Sequence, residues 1–258
     1  MASLPHERHL LIDKGNSYAK VAVVDDGVFS PEVAFVEQLT PETLAPLCRV
    51  APGGRLFTVY SSVGEPQLFA PAYLQEQSYY FLQIDAETES PLRALHYERA
   101  QLGADRLALA VGALAFTEKD TDVLVIDIGT AITYEWVSST GEYLGGNISP
   151  GPRTRSRALH MATALLPEVE LTSDAPEMGS NTHDAILGGI AWGIVYEIEG
   201  YIRHLQSKKP RLKVILTGGY ATYFADKVKN VTFVVPDLVL RGLDRLLEYN
   251  AQNHKYHL

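Results

Sequence analysis

Cysteine is all but missing from this chain: Cys48 is the only one among 258 residues. No intramolecular disulfide can form, a clustered-thiolate metal site is excluded, and a reducing compartment, the cytoplasm, is expected. Positive charge is scarce as well, with 22 Lys+Arg against 31 Asp+Glu and a formal net charge of −9. Nucleic acids and anionic membranes are bound through a basic field, so neither is expected as a partner. Long apolar runs are lacking: RLALAVGALAF and AILGGIAWGIVYEI are short or interrupted, and the N-terminus MASLPHERHLLIDKG has no basic segment leading into an apolar stretch. No bilayer span or secretion signal is expected. The eight histidines fall into no metal-binding spacing, and no zinc site is expected. Absent too are the Gly-x-x-x-x-Gly-Lys-Ser/Thr loop and a well-placed Gly-x-Gly-x-x-Gly, which removes the commonest nucleotide folds.

What remains is an ordinary globular composition, 46% hydrophobic and 21% charged, with 20 Gly and 14 Pro spread along the chain. Within it one pattern occurs twice. Residues 10–24, LLIDKGNSYAKVAVV, and 124–137, LVIDIGTAITYEWV, each run apolar strand, Asp, any residue, Gly, small polar residue, second strand. The first strand is apolar enough to be central, and the Gly turn folds the second back as a hairpin. A tandem pair of related domains, 1–115 and 116–258, is expected. Gly15 and Gly129 let backbone N–H groups approach a phosphate, while Asn16, Ser17 and Thr130 add side-chain donors. Asp13 and Asp127, at the ends of buried strands, call for a cation such as Mg²⁺ or a monovalent ion. Ordinary β-turns use the same residues, and it is the repetition that favours phosphate. A third element, VILTGGYATYFA at 214–225, carries Thr217-Gly218-Gly219 between a strand and a potential helix start, a further place for a nucleotide.

The series Asp13-Lys14-Gly15-Asn16-Ser17 with Lys20, Gly103-Ala104-Asp105-Arg106, Asp127-Ile128-Gly129-Thr130-Ala131, Gly145-Gly146-Asn147-Ile148-Ser149-Pro150-Gly151 and Thr217-Gly218-Gly219 resembles the motifs of the type III pantothenate kinases, in order and spacing along nearly the whole chain. That family belongs with the acetate and sugar kinases, the heat-shock chaperones and actin. The resemblance implies an α/β fold of two related actin-like (ribonuclease H-like) domains, with mixed sheets flanked by helices and ATP in the interdomain cleft. It implies ATP-dependent phosphorylation of pantothenate to 4′-phosphopantothenate for coenzyme A synthesis, by a homodimer.

Residue by residue, the resemblance implies that Asp13, Lys14, Gly15, Asn16, Ser17, Tyr18, Ala19 and Lys20 hold ATP with its Mg²⁺, and that Thr130 is a further ATP contact. Asp127 is expected to bind a monovalent cation, K⁺ or NH₄⁺, standing in for a fixed positive side chain. Gly103, Ala104, Asp105 and Arg106 are expected to contact pantothenate, with Asp105 as the catalytic base and Thr182 as a second contact. The family's substrate tyrosine sits seven residues before the first Gly of Gly-x-Asp-Arg. In LHYERAQLGADR that place falls on His96, and Tyr97, six residues ahead, takes the role once a one-residue deletion is allowed. Arg106 suits either the pantothenate carboxylate or the transferring phosphate.

Asp105 opens the helix-like ADRLALAVGALAF, where the helix dipole should keep its carboxyl ionised and make it a weak base. Arg153, Arg155 and Arg157 alternate at a potential helix start, facing either an anion or solvent. His183 is a ligand or a cap. PDLVLRGLDRLLEYN reads as a closing amphipathic helix, and AILGGIAWGIVYEIEGYI as a closely packed helix of the core or of a dimer interface. Two other functions stand beside the kinase: a non-catalytic transcription accessory or regulatory protein on the same fold, and a kinase for another small hydroxy acid. Four ionisable groups, Asp13, Asp105, Arg106 and Asp127, weigh against the first.

Overall fold

The computed structural model describes residues 6–15, 18–30, 32–62 and 69–255. The chain divides into two compact units, Met1–Ala115 with Asp237–Leu258, and Phe116–Pro236. The sequence reading gave 116–258 to the second domain; the structure returns the final helix to the first unit. An amphipathic stripe in the sequence announces that a helix will be buried, and does not say against which sheet.

In the first unit, β1 (Glu7–Lys14) pairs antiparallel with β2 (Ala19–Asp25), and the short strands β3 (Val28–Phe29) and β4 (Ala34–Val36) both pair with β2. After α1 (Pro41–Leu44), β5 (Arg55–Ser62) lies parallel to β1. Then come α2 (Phe69–Gln77), β6 (Tyr80–Gln83), parallel to β5, the two-residue strand β7 (Ala94–Leu95) and α3 (Ala104–Ala113). Side chains alternate across the sheet. Leu10, Ile12, Val21, Leu56 and Tyr60 pack with Leu44, Ala70 and Leu74 on one face. His9, Leu11 and Asp13 point from β1 to the other.

That other face is covered by the last helix, labelled α7 (Leu238–Lys255), which also packs along α3. Leu243, Leu246, Leu247 and Ala251 are its buried stripe, and α3 is buried throughout Arg106–Ala113. The two helices touch at backbone level, because a Cβ added at Gly242 would stand 1.8 Å from the carbonyl oxygen of Ala108. Only glycine fits there.

The second unit repeats the plan. β8 (Val123–Ile128) pairs antiparallel with β9 (Ala131–Val137), which pairs antiparallel with β10 (Glu142–Pro150). Following α4 (Pro152–Ala162) and α5 (Thr182–Lys208), β11 (Lys213–Thr217) runs parallel to β8. Next are α6 (Ala221–Ala225) and β12 (Phe233–Val234), parallel to β11. In both units, then, a central strand ending in Asp has an antiparallel hairpin partner on one side and a parallel strand on the other.

Ile186, Ile190, Ile194, Ile198 and Ile202 form one stripe of α5, packed on Leu124, Ile126, Ile132, Tyr134 and Leu216 of the sheet. The segment expected to be a closely packed helix of the core or of a dimer interface is a helix packed in the core of this unit. Over its 27 residues α5 is the one helix among the described residues long and apolar enough to cross a membrane, and half of its most apolar window is buried in the fold.

Sequence spacing does not reveal that His9 meets the closing helix. Its Nδ1 lies 2.6 Å from Asp244 Oδ1, with Glu248 one helical turn further along the same face. This is hydrogen-bond distance, and the group is an ion pair tying α7 to β1. Burial alone would push the imidazole down, but its hydrogen bond to Asp244 and the charges of Asp244, Glu248 and Glu7 outweigh it and hold His9 above its ordinary value. A histidine raised in the folded state contributes fully below its unfolded value of about 6.5 and loses the contribution as pH rises through the folded one. We expect His9→Gln to cost about 1–2 kcal/mol at pH 6 and much less at pH 9, measured by urea unfolding. A deficit that does not change with pH would refute the ion pair.

Candidate active site

Asp13 is buried at the end of β1, where its Oδ1 accepts a hydrogen bond from Ser61 Oγ of the parallel strand at 3.2 Å. Lys20 stands directly opposite on the antiparallel partner, on the same face. The hairpin is closed by the Gly15 N–H donating to the Tyr18 carbonyl at 3.1 Å. Ala19 is buried, while the Tyr18 ring is exposed and rests edge-on against Phe35. Lys14 is buried, and alternation along β1 sends its side chain to the face opposite Asp13 and Lys20. Its backbone, not its ammonium, belongs to the turn. Asn16 and Ser17 lie outside the described residues.

At the start of α3, Gly103 is the N-cap and Ala104 and Asp105 fill the first turn. Asp105 Oδ1 accepts the Arg106 N–H at 2.8 Å. Burial here opposes the effect of the helix dipole. Burial pushes Asp105 above its usual value, against the opposing pull of the Arg106 backbone hydrogen bond and of the Arg106 and Lys20 charges. Desolvation wins because the helix is buried from its first turn on. Arg106, far from being exposed, is 4% accessible. Its Nη1 donates to Tyr97 Oη at 3.2 Å, and the guanidinium sits 5.1 Å from that ring's centroid. His96 is exposed. Of the two candidates in the LHYER segment, it is Tyr97 that the fold brings to Arg106.

In the second unit Asp127 occupies the equivalent strand end, opposite Thr133 on β9 and Thr217 on β11. The Thr217-Gly218-Gly219 turn presses against it. Gly218 has φ +89°, and a Cβ there would lie 2.1 Å from Asp127 Oδ1, so both the backbone conformation and the space require glycine. The Tyr220 N–H donates to the Ile128 carbonyl at 3.0 Å. Thr130 has an exposed side chain, and its carbonyl is anchored by the Gly151 N–H at 3.0 Å and Thr154 Oγ1 at 2.6 Å. The second Asp-x-Gly hairpin, the Gly151 end of the Gly-rich strand and the Thr-Gly-Gly turn thus meet in one place. Thr154 was not singled out in the sequence, because a threonine in a first helical turn has no distinguishing pattern.

Thr182 is exposed in the first turn of α5, whose N-cap Asn181 accepts the Asp184 N–H at 3.0 Å. It lies in a different unit from Gly103–Arg106. His183 is exposed and 3.2 Å from Asp184. Among the alternating arginines, Arg153 and Arg157 are exposed, while Arg155 is tied to the Pro150 carbonyl, Ser149 Oγ and the Glu197 carboxylate. Despite the burial that opposes it, Glu197 is held below the usual carboxylate range by hydrogen bonds from Arg155, Ser149 and Tyr134 and by the Arg155 charge. Arg155 is a brace between β10 and α5.

Each unit by itself offers a carboxylate at a strand end beside a Gly turn, which suits a metal–nucleotide, and the first unit adds a carboxyl at a helix start next to a buried arginine, which suits proton acceptance from an alcohol. Known proteins agree with it. Residues 9–204 match the family model described as type III pantothenate kinase. The chain is 45% identical over 247 residues to a type III pantothenate kinase of Porphyromonas gingivalis, covering 94% of this chain and 99% of the relative. It is 39% identical over 242 residues to one of Phocaeicola vulgatus, covering 94% and 98%. Among solved structures it resembles a conserved putative Baf family transcriptional activator from Campylobacter jejuni, with TM-score 0.57, 22% identity and coverage of 94% and 99%. It also resembles a putative 2-dehydro-3-deoxygalactonokinase from Sinorhizobium meliloti, with TM-score 0.55, 13% identity and coverage of 95% and 98%. The structural likenesses establish the shared α/β fold with two helix-flanked mixed sheets; the sequence likeness, extending over nearly the full length of both chains, establishes that this chain belongs to the type III pantothenate kinase family.

Proposed function

We propose that the chain transfers the γ-phosphoryl group of MgATP to the primary hydroxyl of pantothenate, giving 4′-phosphopantothenate for coenzyme A synthesis in the cytoplasm. The observation that carries this reading is the likeness to type III pantothenate kinases over nearly the whole chain, and the geometry supports it: Asp105 lies at a helix start next to the buried Arg106, which is hydrogen-bonded to Tyr97, in the unit that also holds the Asp13 hairpin.

Phosphoryl transfer asks the protein for little covalent chemistry and much positioning. The Asp13–Lys20 hairpin takes the phosphates, to which Lys20 offers a positive charge. Asp13, oriented by Ser61, is a hard oxygen donor suited to hydrated Mg²⁺, and Asp127 with the surrounding Thr oxygens is suited to K⁺ or NH₄⁺. Bound there, these cations would add positive charge on the phosphates beyond that of Lys20. Thr130, its carbonyl already committed, keeps an exposed hydroxyl for the nucleotide.

On the acceptor side, Asp105 takes a hydrogen bond from the attacking hydroxyl and receives its proton as the bond to phosphorus forms. Its raised value makes it a better acceptor than a solvent-exposed aspartate. Arg106, buried against Tyr97, places positive charge beside the reacting oxygen and holds the tyrosine in line. Gly103 and Ala104 leave room for the acceptor to approach the helix start.

Association into a homodimer is part of the proposal. Leu165, Met178, Met161, Ile148 and Tyr196, all in the second unit, are 91%, 89%, 72%, 62% and 60% exposed. So much exposed apolar surface marks a place for association. Thr182, exposed in the same unit, contacts the acceptor from that surface.

Asp105→Asn should retain ATP binding, measured calorimetrically, and lose roughly 10²–10⁴-fold in pantothenate-dependent ADP release. Protonation disables the base, so wild-type kcat/KM should fall on acidification with an apparent pKa above the ordinary 3.8, a limb missing from the residual activity of the variant. Full activity in Asp105→Asn would remove Asp105 from the mechanism. Light scattering should give twice the chain mass for the wild type and the single-chain mass for Met161→Asp with Leu165→Asp. A wild-type monomer at micromolar concentration would reject the dimer.

A further inference from the structure

We infer that Thr133 is a ligand-supplying residue of the monovalent-cation site, its hydroxyl oxygen acting with Asp127 where the first unit uses the ammonium of Lys20. The inference rests on the proposed cation at Asp127 and deepens it.

Register, not sequence spacing, makes the comparison. In the first unit Asp13 lies between Lys20 on the antiparallel strand and Ser61 on the parallel one. In the second, Asp127 lies between Thr133 on the antiparallel strand and Thr217 on the parallel one. The position facing the aspartate is therefore a cation in one copy and a neutral threonine in the other. Directly opposed residues of an antiparallel pair have Cβ atoms about 5 Å apart on the same face, so the Thr133 hydroxyl and the Asp127 carboxylate share one side of the sheet. It is the side away from α5, since Ile126, Ile128, Ile132 and Tyr134 take the side that packs on that helix.

The second observation is independent of the first. Thr133 is 8% exposed, and its Oγ1 is buried without a hydrogen-bond partner. Leaving a buried hydroxyl unsatisfied is costly, and an ordinary strand threonine avoids it by bonding to a neighbour. An oxygen lone pair aimed beside a carboxylate is what a desolvated K⁺ or NH₄⁺ requires. A second carboxyl lies on this face. Glu135, two residues along and fully buried, accepts a hydrogen bond from Tyr143 Oη. The one basic residue of β8, β9 and β11 is Lys213, at the far end of its strand and bonded to Glu118 and the Phe116 carbonyl.

The test compares thermal unfolding of wild type, Thr133→Val and Thr133→Ser in KCl and in choline chloride at equal ionic strength, with Mg²⁺ and a non-hydrolysable ATP analogue present throughout. The wild type should gain stability with increasing K⁺, and Ser, which keeps the hydroxyl, should follow it. In Val the gain should vanish or its half-saturating K⁺ should rise at least about tenfold. In choline chloride, Val should unfold at the wild-type temperature or above, because it removes an unsatisfied hydroxyl. A wild type indifferent to K⁺ would overturn the cation at Asp127 and this inference with it. A K⁺ response preserved in Val, or a Val variant less stable than wild type in choline, would overturn Thr133 alone.

Discussion

A carboxylate held at the end of a buried central strand, once in each unit, is the constraint around which this protein is built. Such a group is costly unless its charge is answered. In the first unit Ser61 and Lys20 flank Asp13; in the second the Gly218 backbone is pressed so closely on Asp127 that no side chain fits between them. Both strand ends meet Gly turns, and the pairing of carboxylate and turn occurs twice because the same hairpin-plus-parallel-strand plan is used twice.

The reacting end depends on a different element. Asp105 and Arg106 are fixed by α3, and α3 is fixed by α7, whose Gly242 admits the Ala108 carbonyl at backbone distance. The same helix is tied to β1 by the His9–Asp244 pair, on the strand that ends in Asp13. One C-terminal helix therefore braces both the strand that carries Asp13 and the helix that carries Asp105. Burial around α3 also acts on its side chains: it raises the Asp105 carboxyl, where a helix N-terminus alone would lower it, and buries Arg106.

Much of this was legible in the sequence, and the failures have physical causes. The two Asp-x-Gly hairpins stood out because an apolar run, an aspartate and a glycine are a strand and a turn wherever they occur. The start of α3 and the amphipathic closing helix were equally local signals. The membership of that helix in the first unit was not legible, since a buried stripe carries no address. Nor was the raised carboxyl of Asp105, because the helix start is encoded locally and the burial is not. That Tyr97, not His96, reaches Arg106 is set by the fold and not by the spacing. Arg155 looked like an anion or solvent contact in an alternating run, and its partner Glu197 lies on another helix. Thr133 was invisible for a further reason: threonine is an ordinary strand residue, and its position acquires meaning only through the register that sets it opposite Asp127.

The most direct test of the central claim is the product itself. Purified protein incubated with MgATP, K⁺ and pantothenate, followed by ³¹P NMR and mass spectrometry, should yield ADP and pantothenate carrying one phosphoryl group on its primary hydroxyl, in equal amounts. Folded, ATP-binding protein that leaves pantothenate unmodified, or that forms ADP without phosphorylating it, would contradict the account.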